Sequence, residues 1–206
     1  VGPAKIQPLL NAAFLEGSQG KDMLLNAARV EAGLLWFLYV SVHKEATTCT
    51  DKQKDCDSSY AYFGGGEAKG AGLGLARYLR TVSPQASAKI WDGILAVRCW
   101  RDLDQAVPAT DLALRDKAIA QLDRGLLRGM AVLVKSRLEA LRKETCEETR
   151  RALWAGIQIL GNVLGREAEA RDAAKAQALA TELAKDLGSA DDKAIDTALD
   201  ALFPCP

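Results

Sequence analysis

The stretch KDMLLNAARVEAGLLWFLYVSVHKEATT, Lys21 to Thr48, decides the fold class. Within it Leu24, Ala28, Glu31, Leu35, Leu38, Val42 and Glu45 recur at steps of three and four. That spacing lays one stripe along an α-helix, whereas a half-buried strand would alternate with a period of two. A polar, turn-like segment from Cys49 to Cys56 follows, and helical patterning resumes from Asp57 to Phe63.

Outward from this segment the same period persists. Gly64-Gly65-Gly66 interrupts the chain, and Gly70, Gly72 and Gly74 precede a helical run from Leu75 to Val82. Ser83-Pro84 is a start signal, the serine capping the helix and the proline at its first position. This helix directs Ile90, Ile94, Val97 and Trp100 inward and ends before Pro108. From Thr110 to about Thr145, Leu112, Ile119, Leu122, Leu126, Met130, Leu133 and Leu141 mark a helix of about 50 Å. A further helix is read from Glu147 to Leu164, with Gly161 and Gly165 leaving open whether it continues into the alanine-rich Glu167 to Leu187, and a last short one from Asp191 or Asp192 to Pro204. No alternation of β-branched residues appears. The chain is therefore all-α, an antiparallel helical bundle or stacked helical hairpins.

His43-Lys44-Glu45-Ala46-Thr47-Thr48-Cys49 is echoed by Arg142-Lys143-Glu144-Thr145-Cys146, each closing a long helix before another that carries an aromatic. Residues 1–206 thus read as one helical domain or as two duplicated sub-units, 1–107 and 108–206.

The 27 basic and 27 acidic residues cancel, so no net field draws the chain to nucleic acid or to an anionic surface. The longest apolar run, Ala32 to Val42, is interrupted by Gly33 and Ser41 and spans about half a bilayer, so no transmembrane segment is expected. The chain begins at Val1 rather than Met, as a mature form trimmed of a targeting segment would. Of the five cysteines, Cys49 and Cys56 stand in polar surroundings without a C-x-x-C spacing, which favours a Cys49–Cys56 disulfide over a zinc site. A disulfide in turn points to an extracytoplasmic location: periplasmic, secreted or surface-anchored. Cys99 reads as a small buried hydrophobe, and Cys146 could pair with Cys205.

Gly70 to Gly74 gives G-x-G-x-G with no preceding strand, so it is not a dinucleotide or phosphate loop. Tyr60, Tyr62 and Phe63 beside Gly64 and Gly65 form the candidate mouth of an apolar ligand pocket, with His43 one or two turns from the Cys49–Cys56 staple. The competing reading is core packing of the aromatics. For a metal, the best available ligands are Glu31, His43 and Asp57, although no local cluster supplies three or four donors. Glu31 alternatively forms an ion pair, for which Arg98 or Arg101 is available. With His43 the single histidine, no nucleophile–base pair is framed, and nothing singles out two carboxylates. The expectation is an extracytoplasmic binding or interaction protein without evident catalytic machinery, taking a protein partner or a small ligand. The alternatives are a metal- or cofactor-binding bundle of unspecified cofactor and an enzyme with a carboxylate-based site.

Overall fold

The computed structural model describes residues 6–205, and these form ten helices and no strand. They are α1 (Ile6–Ser18), α2 (Met23–Thr48), α3 (Lys54–Gly64), α4 (Gly74–Val82), α5 (Pro84–Leu103), α6 (Leu112–Lys143), α7 (Glu147–Val163), α8 (Gly165–Arg171), α9 (Ala173–Leu183) and α10 (Asp192–Leu202). The all-α reading is thereby established. The start of α5 is the predicted one: Ser83 Oγ accepts the Ala86 N–H at 3.2 Å, with Pro84 inside the first turn. The predicted alanine-rich helix is instead two, because Asp172 turns its carboxylate onto the Lys175 N–H and caps a new helix, α9.

Contacts divide the chain into two compact units, one running up to Phe37 and from Met130 to Cys205, the other from Leu38 to Gly129. In the first unit α1 folds back on α2: Asn26 lies against Gly17, and Leu9 and Leu10 lie against Gly33. The α10 helix runs antiparallel along α6, with Arg142 bonded to Asp192 and Asp196 at one end and Lys135 to Asp200 at the other. Helices α7, α8 and α9 pack on one another through Ala168, Leu160 and Leu183, and the α7 side chain of Trp154 donates to the Lys185 carbonyl at 3.2 Å.

The second unit is a set of antiparallel hairpins. Ser59 Oγ of α3 donates to the Val42 carbonyl of α2 at 2.8 Å, and Cys49 and Cys56 are joined as a disulfide with a Cα–Cα separation of 5.2 Å. Helices α5 and α6 approach so closely that Gly93 faces the Leu122 backbone and Gly125 the Ile90 backbone. Ile90, Ile94, Val97 and Trp100 are buried as predicted.

The buried stripe of α2, Ala32, Leu35, Tyr39, Val42 and Ala46, runs beside the one read from sequence and shares only Leu35 and Val42 with it. Leu24 is exposed and Glu31 reaches Arg137. The helix carries a second apolar stripe that the core does not cover.

Candidate functional site

Each candidate residue acquires a definite surrounding. Phe63 is fully buried and meets the Trp91 ring edge-on at 5.0 Å; Tyr60 meets the same ring at 5.0 Å and donates its hydroxyl to the Glu67 carbonyl at 2.8 Å. Tyr62 is half-buried. The Arg98 guanidinium lies over the Tyr60 ring at 4.9 Å while pairing with Asp57 at 2.9 Å. Gly64 and Gly72 close over the indole, leaving no space for a Cβ beside the Trp91 ring. Gly65 ends α3 in the left-handed conformation, and the Leu73 N–H closes the loop onto the Gly64 carbonyl at 2.9 Å. The glycine-rich connector is thus a packed turn over Trp91. Trp91, unremarked in the sequence, is the organising residue; its indole N–H meets no acceptor, so ring packing holds it.

The proposed metal ligands have separate partners. Glu31 pairs with Arg137 at 2.9 Å rather than with Arg98 or Arg101, His43 Nε2 lies 3.2 Å from Asp123, and Asp57 is held by Arg98. Among the described residues no three His, Cys, Asp or Glu side chains gather where an ion would sit.

The remaining cysteines depart from expectation. Cys99 is exposed, because the inward face of α5 is taken by Ile90, Ile94, Val97 and Arg101, leaving Cys99 on the outer face with Leu95. Cys146 and Cys205 are exposed free thiols: α10 runs away from the Cys146 end of α6, so Cys205 lies at the other end of that pair of helices. Cys146 caps α7. The Thr149 N–H, then the Thr149 hydroxyl and the Glu148 N–H, hold its thiol pKa below the ordinary value against desolvation and the nearby Glu144 carboxylate. Cys146 is accordingly expected to be alkylated by iodoacetamide before Cys99 and Cys205 near pH 7.5, read by peptide mass spectrometry over time. Equal rates at the three thiols would contradict the role given to the helix end.

Two of the hollows among the described residues bear on the candidate site. The smaller, about 270 Å³, is polar and borders the disulfide, lined by Gln53, Lys54, Asp57, Arg98, Arg101 and Asp102. Its charges already engage one another at Asp57 and Arg98, and Arg101 is bonded to backbone carbonyls. The larger, about 670 Å³, is an apolar groove in the first unit between α1 and α2. Ala13, Phe14, Gly17 and Ser18 form one wall; Met23, Ala27, Val30 and Leu34, with the polar Asn26 and Glu31 at their side, form the other. Phe14, Met23 and Leu34 are 60%, 66% and 49% exposed. Grooves of this size and apolarity are where proteins bind apolar partners.

Sequence reasoning missed this groove because it assigned nothing before Lys21. The signal was present: Leu10, Phe14 and Gly17 follow at four and three, and so do Met23, Ala27, Val30 and Leu34. The α2 helix also passes a test that the uninterrupted-run count did not apply. It is 26 residues long with a mean hydropathy of 1.3 over its most apolar window, 28% of which is buried, and among the described residues it is the one helix long and apolar enough to cross a membrane. The expectation that no segment reaches that length is corrected to this extent, since averaging tolerates Gly33 and Ser41 where a run does not. The chain matches no known family model, no curated protein and no solved structure.

Proposed function

We propose that this chain is a non-enzymatic extracytoplasmic interaction protein that binds an apolar partner surface along the α1–α2 groove. The observation that carries the reading is the groove itself: two helices present apolar residues at steps of four and three, and the large ones stand half or more exposed. Leaving such side chains in water forgoes on the order of 1 kcal/mol each, a cost that a binding partner removes. The Cys49–Cys56 bond supports the compartment, since reducing cytosol keeps such cysteines apart. The metal-binding alternative has less support, because Glu31, His43 and Asp57 are each engaged by a different partner.

A photo-crosslinking residue placed at Leu34 tests the site. Illumination of cells producing the protein is expected to give adducts from Leu34→benzoylphenylalanine and few from the same residue at Leu103, which is 74% exposed but lies outside the groove. Equal adduct yields at the two positions, or none at either, would remove the groove as the binding surface. Recovery of the protein with Cys49 and Cys56 as free thiols from its native location would remove the compartment.

A further inference from the structure

The identity of the partner follows from the shape and extent of the groove, taking as premise the reading of α1–α2 as a binding surface. We propose that a second copy of this chain covers it, each α2 lying parallel and in register with the other, in the groove between its partner's α1 and α2.

Met23, Ala27, Val30, Leu34 and Phe37 follow one another at four, three, four and three residues. That is the seam of a two-stranded coiled coil, in which each side chain enters a hole between four residues of the facing helix. Such a seam serves a helix. A globular ligand would not require the repeat to continue over the four turns from Met23 to Phe37. A two-fold axis parallel to the seam stacks like on like and places each α2 beside the other copy's α1, where Ala13 and Gly17 are small enough to admit it. The result is a four-helix arrangement made of two identical hairpins.

The area agrees. A standard interface needs about 800 Å² from each partner, a little over half of it apolar, or about 450 Å². Along this groove and its continuation on α2, Phe14, Met23, Leu34 and Phe37 remain 45–66% exposed. At about 200 Å² for a fully exposed large apolar side chain they offer roughly 440 Å². This supply matches the apolar share of a stable dimer. The charged residues of this part of α2 are paired within the same unit: Arg29 is bonded to Glu16 and Asn26, and Glu31, which borders the groove, is bonded to Arg137.

Sedimentation velocity of the full chain, from about 1 to 100 µM, is expected to show a dimer. Leu34→Glu would place two carboxylates in one layer of the seam and weaken association about 100-fold or more. Because Leu34 is half exposed, the variant keeps its helical circular dichroism and still melts cooperatively, at a temperature that no longer rises with protein concentration. Leu103→Glu leaves the dimer intact. In a background with Cys99, Cys146 and Cys205 changed to serine, Leu34→Cys and, separately, Met23→Cys each form an intermolecular disulfide on mild oxidation, and only a parallel, in-register seam permits both. A wild-type chain that stays monomeric over this range overturns the proposal, as does a dimer that survives Leu34→Glu. Binding of the monomer to phosphatidylcholine vesicles would assign the groove to lipid instead. In that last case crosslinks from Leu34 to lipid would uphold the groove as a binding surface while the second copy falls; absence of crosslinks from Leu34 would remove both.

Discussion

Gly93→Ala is expected to destabilise the protein by about 2–4 kcal/mol and to lower its melting temperature by roughly 5–12 °C. A Cβ at Gly93 would stand 2.5 Å from the Leu122 Cα and 2.8 Å from its backbone nitrogen. Neither atom belongs to a side chain that can swing aside, so α5 and α6 must separate. The opposing term is known: alanine is better than glycine inside a helix by about 1 kcal/mol. Parting two helices packed through Ile90, Ile94, Leu122 and Leu126, all at most 1% exposed, costs more than that. Gly165→Ala, at the start of α8 with nothing within 4 Å of its added carbon, isolates the propensity term and is expected to be neutral or slightly stabilising. Urea midpoints for the two variants and wild type decide the matter, and a Gly93→Ala protein as stable as wild type would show that the close approach of α5 and α6 is not required.

Gly93 also illustrates where the sequence is readable. The inward residues of α5 were legible because a helix packed on one side repeats them every three or four positions. Gly93 lies on that same face but reads merely as a weak helix former, since what it faces depends on a residue 29 positions later, Leu122. The Cys49–Cys56 bond was legible for the opposite reason, being fixed by a short polar turn whose composition is local. For the aromatic run Tyr60 to Phe63 the sequence left a pocket mouth and core packing both open, because the ring that Tyr60 and Phe63 meet, Trp91, is supplied by another helix. For α2 the difficulty was different. A helix with one apolar stripe has a single reading, but α2 carries a stripe for the core and another for the groove, and their sum blurs the period. The groove was hidden further because its second wall, α1, has no acidic residue in its first described turn to mark it in the sequence.

The buried guanidinium of Arg101 gives the other large effect: Arg101→Met is expected to cost about 3–5 kcal/mol. Arg101 is fully buried, yet no carboxylate oxygen accepts from it. Its Nε donates to the Cys49 carbonyl at 3.0 Å, one terminal nitrogen to the Ala106 carbonyl at 2.9 Å and the other to the Asp104 carbonyl. One side chain therefore ties the disulfide turn to the chain leaving α5. Methionine fills similar volume without donors, so the loss measures three stranded carbonyls at about 1–3 kcal/mol each, reduced by the water that reaches them once the turn loosens. Lysine retains the charge but cannot span three carbonyls from one planar fork, so Arg101→Lys is expected to recover less than half of the loss. The Asp104 carboxylate completes this turn, and the N–H of Asp111 holds its pKa below the ordinary value against desolvation, aided by the N–H groups of Thr110 and Ala106 and by the Arg101 charge. A carboxylate with a depressed folded value contributes stability that is present above its unfolded value near 3.9 and is lost as pH falls through the lower folded one. At pH 7 that contribution is complete in wild type and variant alike, so chemical denaturation there isolates the guanidinium. A Met variant within 1 kcal/mol of wild type would mean that the three carbonyls are satisfied without Arg101, and the tie between the disulfide turn and the Asp104–Asp111 segment would have to be sought elsewhere.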